Sequence, residues 1–168
     1  MDNLLKLGVN QDVIDVDTST ELRSHIVNMV SQANKTIYIT SRKMDARLTN
    51  HSDFLDAIRS GIAKNTNFDL KILIYQLDEF LSENHQILDL SHRLSTNISI
   101  KVFSKEQQHC NHDFILVDNM GVIYSELADR YESIIEYNNK RRNQELTRQF
   151  NEAWEHGVRD SNLYRLNI

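Results

Sequence analysis

The sequence predicts one α/β domain with a mostly parallel central sheet, helices on both faces of that sheet, and an antiparallel hairpin near residues 114–124. Short β-branched and apolar runs alternate with stretches in which apolar residues recur every three or four positions. The resulting order of strand, helix, strand, helix, strand is typical of a parallel sheet. Later in the chain, two apolar runs flank Asp118-Asn119-Met120-Gly121, and these turn residues favour a hairpin.

The start of the domain is marked by a change in pattern. Residues 1–17 show no clear period and are interpreted as a lead-in segment, so the domain is predicted over residues 18–168. Thr18 and Glu21 are typical of a helix N-terminus. The apolar residues that follow at helical spacing, from Leu22 onward, predict a first helix.

The later elements follow from the same periods. β-branched or alternating runs predict strands, and apolar residues on one helical face predict helices. These elements are a strand at 35–40, a polar loop at 42–50, a helix from 52, a strand at 70–75, a helix at 83–94, a strand at 98–103, hairpin strands at 114–117 and 122–124, a strand at 133–137 and a helix at 139–156.

The composition excludes several classes of protein. The 168 residues carry 19 basic and 24 acidic side chains, a net charge of −5, which argues against a wholly basic nucleic-acid binder. The single cysteine, Cys110, excludes an internal disulfide framework and a cysteine-rich zinc site. No apolar run is long enough for a membrane span, and the N-terminus lacks the pattern of a secretion signal. A cytoplasmic location without membrane contact is therefore expected, and no cofactor is predicted.

One segment carries most of the functional signal. A polar cluster at residues 109–113 leads into an apolar strand that ends at Asp118, and a second strand returns to Ser125. This segment resembles the phospholipase D-like superfamily, in which a motif H-x-K-x4-D enters such a strand and a Gly-Ser pair ends the next one. The order of elements from Glu21 to Phe103 also resembles one half of that fold.

The resemblance implies a specific chemistry. In the superfamily the histidine attacks phosphorus, the lysine neutralises the phosphate oxygens, and the acid is expected to orient a ring nitrogen of the histidine. A second half supplies another histidine, which protonates the leaving oxygen. The resemblance therefore implies a homodimer with the polar cluster near its two-fold axis.

The motif is degraded in this chain. With Asp118 at the acid position, Asn111 occupies the histidine position and Asp113 the lysine position. A shift by one residue brings His112 into place, but Phe114 and Asn119 then replace the lysine and the acid. Ser125 matches the serine of the Gly-Ser pair, with Tyr124 in place of the glycine. We therefore expect a phospholipase D-like half whose phosphodiesterase centre is lost.

A second resemblance covers residues 24–168. The run Leu127-Ala128-Asp129-Arg130-Tyr131-Glu132 and the tail Phe150-Asn151-Glu152-Ala153-Trp154-Glu155 are similar to an uncharacterised bacterial domain family, often found C-terminal to GNAT acetyltransferase domains. This chain has a short lead-in where the fused members have the acetyltransferase. The resemblance implies an acetyltransferase acting in trans as one partner.

The candidate ligand-binding residues are polar side chains that follow strands. Arg42 and Asp45 come after the first strand of the parallel part, where ligands settle in open sheets. Arg42 is predicted to form an anion pocket with Arg93 and Arg130, and Asp45 and Asn111 are further predicted ligand-binding residues. The alternatives are a solvated loop held by Arg–Asp pairs and, around residues 129–132, an ion-pair network that joins the hairpin to the sheet.

The metal-site signal is weak. His109 and His112 lie three residues apart in a loop and could chelate a metal with Asp113 or Cys110, but no second ligand cluster is evident. No metal site is therefore predicted.

These observations predict a non-catalytic binding module for a phosphate-bearing ligand or a protein partner. One alternative is a phosphodiesterase or nuclease that uses His85 or His112 with Asp118. Another is an accessory module for an acetyltransferase acting in trans.

Overall fold

The computed structural model describes residues 4–107 and 112–165. Seven strands form one sheet in the spatial order β1-β7-β6-β5-β2-β3-β4. The strands are β1 (Val13–Val16), β2 (Thr36–Ser41), β3 (Asp69–Ile74), β4 (Ile98–Val102), β5 (Asp113–Val117), β6 (Gly121–Ser125) and β7 (Ser133–Glu136).

Six α-helices flank the sheet within the described residues. They are α1 (Ser19–Ser31), α2 (Ala46–Thr49), α3 (Ser52–Lys64), α4 (Leu77–Ser82), α5 (Gln86–Arg93) and α6 (Lys140–His156). The predicted N-terminus of α1 is confirmed, because the Thr18 side chain accepts a hydrogen bond from the backbone N–H of Glu21. None of the described helices combines the length and the apolar character needed to cross a bilayer.

The α/β class, the helices on both faces and the hairpin are confirmed, but the expected direction of the strands is corrected. Only β2–β3 and β3–β4 pair in parallel, whereas the pairs β1–β7, β7–β6, β6–β5 and β5–β2 are antiparallel. A parallel connection needs a crossover of about a dozen residues or more. Long helical segments join β2, β3 and β4, while short turns join β5, β6 and β7, so the sheet is mixed.

Two further differences concern single elements. The helix predicted at 83–94 corresponds to α5, which begins only at Gln86, and the separate helix α4 before it was not predicted. Asn84, between the two helices, has a left-handed φ of 50°. The predicted loop at 42–50 contains the single turn α2. The lead-in segment contributes β1, which pairs with β7 at the edge of the sheet.

The two faces of the sheet bury different helices. On one face, Ile26, Phe54, Phe80 and Ile87, from α1, α3, α4 and α5, are part of the larger core cluster. On the other face, α6 packs its Leu146 and Phe150 against β5 and β6. Because side chains alternate along a strand, neighbouring residues of β5 face different cores, and this alternation decides which polar residues can meet.

Candidate functional site

A cavity of about 230 Å³ opens where β2 ends and β5 begins, on the face covered by α1. Its wall is apolar on one side and polar on the other. The apolar lining comprises Leu22, Ile26, Ile39, Met44, Leu48, Phe114, Ile115, Ile123 and Ala128, and the charged lining comprises Arg42, Lys43, Asp45, Glu79, Asp113, Asp129 and Arg130. Concave sites of this kind, with an apolar wall and a few polar groups, are the usual ligand sites of proteins.

Asp113 is the most constrained polar group in this cavity. Its Oδ1 accepts a hydrogen bond from the Tyr75 hydroxyl at 2.6 Å and one from the Arg42 backbone N–H at 3.2 Å. Its Oδ2 accepts a hydrogen bond from the Ser41 hydroxyl at 3.2 Å. Burial raises the pKa of Asp113 to about 6, although these three hydrogen bonds act in the opposite direction.

The register of the hairpin explains why Asp113 faces this cavity. Asp113 and Ile115 point to the same face of β5, and the alternation sends the Phe114 side chain to the α6 core on the other face, although Phe114 also borders the cavity. Asp113 pairs with Ser125 of β6 across the hairpin. Ser125 is buried, and its Oγ lies 2.6 Å from the Ser133 Oγ. Asp113 and Ser125 therefore share one cavity.

The hydrogen bond from the Tyr75 hydroxyl is expected to lower the pKa of Asp113. In a Tyr75→Phe variant the carboxylate loses this hydrogen bond, so the pKa of Asp113 should rise by about one unit. Following the chemical shift of the Asp113 carboxyl carbon by NMR as the pH is varied measures this pKa. Tyr38→Phe is the matched control, because Tyr38 packs against the same core cluster as Tyr75 and stacks on Phe150 but makes none of the hydrogen bonds to Asp113. An unchanged or lower pKa in Tyr75→Phe would contradict the assignment.

The predicted ligand residue Arg42 lies at the cavity, but its guanidinium is already bound. Arg42 Nε donates to Gln76 Oε1 at 2.8 Å, and its Nη2 lies 3.2 Å from Glu79 Oε1. Lys43 is paired in the same way, since its Nζ lies 2.9 Å from a carboxylate oxygen of Glu83. The positive charges that follow β2 are thus largely compensated by α4 and the residue after it.

Arg130 also lines the cavity, in the connection between β6 and β7. It is exposed, and no carboxylate of the described residues forms an ion pair with it. Arg93, in contrast, is an exposed residue at the end of α5, which leads into the start of β4 at the opposite end of the sheet. The expected grouping of three arginines is therefore corrected: Arg42 and Arg130 share the cavity, and Arg93 does not line it.

Asp45 connects the two loops at the mouth of the cavity. Its side chain accepts a hydrogen bond from the Arg47 N–H at 2.9 Å, which caps α2, and another from the Tyr131 hydroxyl at 2.9 Å. Arg47 Nη1 also donates to the Tyr131 hydroxyl oxygen at 3.1 Å. The ion-pair network predicted around residues 129–132 is therefore corrected, because no ion pair of the described residues involves them and the Tyr131 hydroxyl joins this segment to the β2–α2 loop by hydrogen bonds.

The two candidate catalytic histidines lie away from this cavity. His85 is buried, stacks on Phe80 with ring centroids 4.7 Å apart, and has its Nε2 3.2 Å from Glu83 Oε2. Burial lowers the pKa of His85, although Glu83 opposes this effect. His112 points to the α6 face beside Tyr124, and its Nδ1 lies 3.1 Å from the Glu126 carbonyl oxygen.

Asp118 lies at the far end of β5, about 20 Å of extended chain from His112. Its carboxylate accepts hydrogen bonds from the backbone N–H groups of Asn34 at 2.6 Å, Lys35 at 2.8 Å and Thr36 at 2.9 Å. The expectation that this acid orients a histidine ring is therefore corrected, because the carboxylate binds the chain that enters β2. Asn111, His109 and Cys110 lie outside the described residues.

Sequence reasoning missed Tyr75 and the hydroxyl of Ser41 as site residues. Ser41 ends β2, and Tyr75 directly follows β3. Because β2 and β3 are parallel neighbours, the residues at their carboxyl ends meet at one edge of the sheet. The location of Ser41 and Tyr75 at the carboxyl ends of neighbouring strands could have indicated a site, although neither residue type does so by itself.

The mixed seven-stranded sheet and its flanking helices resemble the fold of phospholipase D family members. The chain belongs to the family described as Domain of unknown function (DUF7931), which it matches over residues 18–166. A comparison with curated protein sequences finds no match.

Several solved structures share the fold. Nuc, a phospholipase D family member from Salmonella typhimurium, has a TM-score of 0.62 at 15% identity, over 89% of this chain and 97% of Nuc. NucT from Helicobacter pylori has a TM-score of 0.63 at 12% identity, over 89% and 99% of the two chains. TrmBL2, an archaeal chromatin protein that binds DNA, has a TM-score of 0.65 at 18% identity over 92% of this chain, which spans 56% of the length of TrmBL2.

Proposed function

We propose that this domain is a binding module that does not cleave phosphodiesters and that holds a phosphate-bearing small molecule in the cavity between β2 and β5. The observation that carries the proposal is Asp113. It is a carboxylate at the position where the phospholipase D-like motif has its lysine, and it faces the cavity. A negative charge there opposes a phosphodiester at the position that the lysine would neutralise.

The other charges around the cavity support the loss of hydrolysis. The described lining residues include no histidine that could attack phosphorus. The cations of Arg42 and Lys43 are bound by Glu79 and Glu83. A phosphodiester held beside Asp113 would therefore meet no histidine of the described lining, and Arg42 and Lys43 would already be bound by carboxylates.

Arg130 supports the phosphate part of the proposal. Its guanidinium lines the mouth of the cavity and has no ion-pair partner among the described residues. A planar guanidinium can bind phosphate oxygens in a bidentate manner. The phosphate end of the ligand would then lie at the mouth, away from Asp113.

The alternative function is that of a phosphodiesterase or nuclease, and the similarity of fold to Nuc and NucT supports it. Its suggested residues, His85 or His112 with Asp118, lie on different faces or at different ends of the sheet. A protein partner, a homodimer and an acetyltransferase acting in trans stay predictions. Light scattering tests the homodimer, and co-purification tests the acetyltransferase.

The protein is expected to show no turnover of bis-(p-nitrophenyl) phosphate or plasmid DNA, with or without EDTA. The reason is the missing nucleophile and the aspartate in the lysine position. Release of p-nitrophenol and nicking on agarose gels measure the two reactions, with a phospholipase D-like nuclease as the positive control. Turnover that disappears in His112→Ala would overturn the binding proposal and favour the alternative function.

A further inference from the structure

We propose that the ligand also carries a protonated amine, and that this amine binds the carboxylate of Asp113 inside the cavity. The inference rests on the proposed function and adds the chemistry of the second end of the ligand. The three groups that already bind Asp113 come from Tyr75, Ser41 and the backbone of Arg42. All three are neutral donors.

The Asp113 carboxylate forms no ion pair with a cationic side chain of the described residues. The nearby charge of Arg42 favours the ionised form and so lowers the pKa of Asp113, but the Arg42 guanidinium binds Gln76 and Glu79. A carboxylate offers about four acceptor positions, and three are used here. Burying a charge without a partner is costly. A ligand ammonium group would supply both the missing donor and the missing charge.

The charge of the whole cavity favours a cation as well. Among its described lining residues, four side chains are acidic and three are basic. Two of the basic side chains, Arg42 and Lys43, are paired with Glu79 or Glu83. The remaining cation is Arg130, which is exposed and lies beside the exposed Asp129, whereas Asp113 is the acid whose carboxylate is held by three neutral donors inside the cavity.

The wall between these two ends is apolar. Leu22 and Ile26 of α1, together with Ile39, Ile115 and Ile123 of the sheet, form a surface that a hydrocarbon segment can cover. The volume of about 230 Å³ is slightly below the roughly 300–1,000 Å³ of drug-sized ligand sites. The site therefore fits a short aliphatic body with an ammonium group at one end and a phosphate at the other.

Matched probes separate the two ends of such a ligand. The probes are ω-aminoalkyl phosphates of two to six carbons, the alkyl phosphates of the same lengths, and the corresponding alkylamines. Isothermal titration calorimetry of the intact protein at pH 7.5 measures binding. At the best length, the aminoalkyl phosphate is expected to bind about tenfold more tightly than the alkyl phosphate, a difference of about 1.4 kcal/mol.

Variants assign each preference to one residue. Asp113→Asn should abolish the preference for the amine and leave alkyl phosphate binding in place. Arg130→Ala should weaken both phosphates and keep the amine preference. Asp129→Asn is the matched control, because Asp129 is an exposed carboxylate of the same cavity, and it should leave the amine preference unchanged. Near-UV circular dichroism establishes that each variant is folded.

The possible outcomes distinguish the two proposals. Equal binding of aminoalkyl and alkyl phosphates overturns the amine inference and leaves the proposed function standing. Binding of alkylamines that Asp113→Asn abolishes, without any effect of the phosphate, supports the inference and overturns the phosphate part of the proposed function. Absence of binding by every probe overturns both.

Discussion

Replacing Asp118 with alanine is expected to lower the free energy of unfolding by about 3 kcal/mol. The change removes the acceptor for three backbone N–H groups, those of Asn34, Lys35 and Thr36. It also places alanine at a left-handed φ of 51°, which aspartate tolerates better. Urea denaturation followed by circular dichroism measures the loss.

Asn119 provides a control that separates these two causes. It is the next residue of the same turn, has a left-handed φ of 61°, and is exposed. Asn119→Ala should therefore cost only the backbone strain, about 1 kcal/mol. Asp118→Asn keeps one acceptor oxygen and should fall between the two alanine variants. Equal losses for the two alanine variants would show that the carboxylate does not stabilise the entry to β2.

The second large effect is a pH dependence of stability caused by Asp113. The folded protein keeps a proton on this carboxyl up to about pH 6, whereas the unfolded chain releases it near the ordinary value of 3.8. The folded state therefore binds more protons between these pKa values, so this contribution to stability is complete below the lower pKa. It is lost as the pH rises through the higher one, by about 2–3 kcal/mol in total.

Asp113→Asn isolates this contribution from those of the other carboxylates. The asparagine does not titrate. The free energy of unfolding of Asp113→Asn should therefore increase relative to that of the wild type as the pH rises from about 4 to 7. Asp129→Asn, at an exposed position, should show no such gain. Denaturation at a series of pH values measures all three proteins. A difference between wild type and Asp113→Asn that is constant with pH would contradict the raised pKa.

The sequence predicted part of the cavity lining for a local reason: Arg42 and Asp45 follow a strand, and the structure places both at the cavity. Asp113 entered the sequence analysis only as the residue at the lysine position of the resembled motif and was not predicted to bind a ligand. Arg93 was grouped with Arg42 because the sequence does not show to which end of the sheet α5 returns. Tyr75 was missed because its role depends on the neighbouring strand β2 and on the side chain of Asp113.

Several features were determined by the sequence alone: the α/β class, the approximate strands and helices, and the hairpin turn at Asp118-Asn119. They depend on periodicity and turn chemistry between residues close in the chain. The tertiary structure decided that four strand pairs are antiparallel, that His112 and Asp113 face opposite sides, and that Asp118 binds the start of β2. These features depend on which distant segments pair and in which direction, and the local sequence pattern does not determine that pairing.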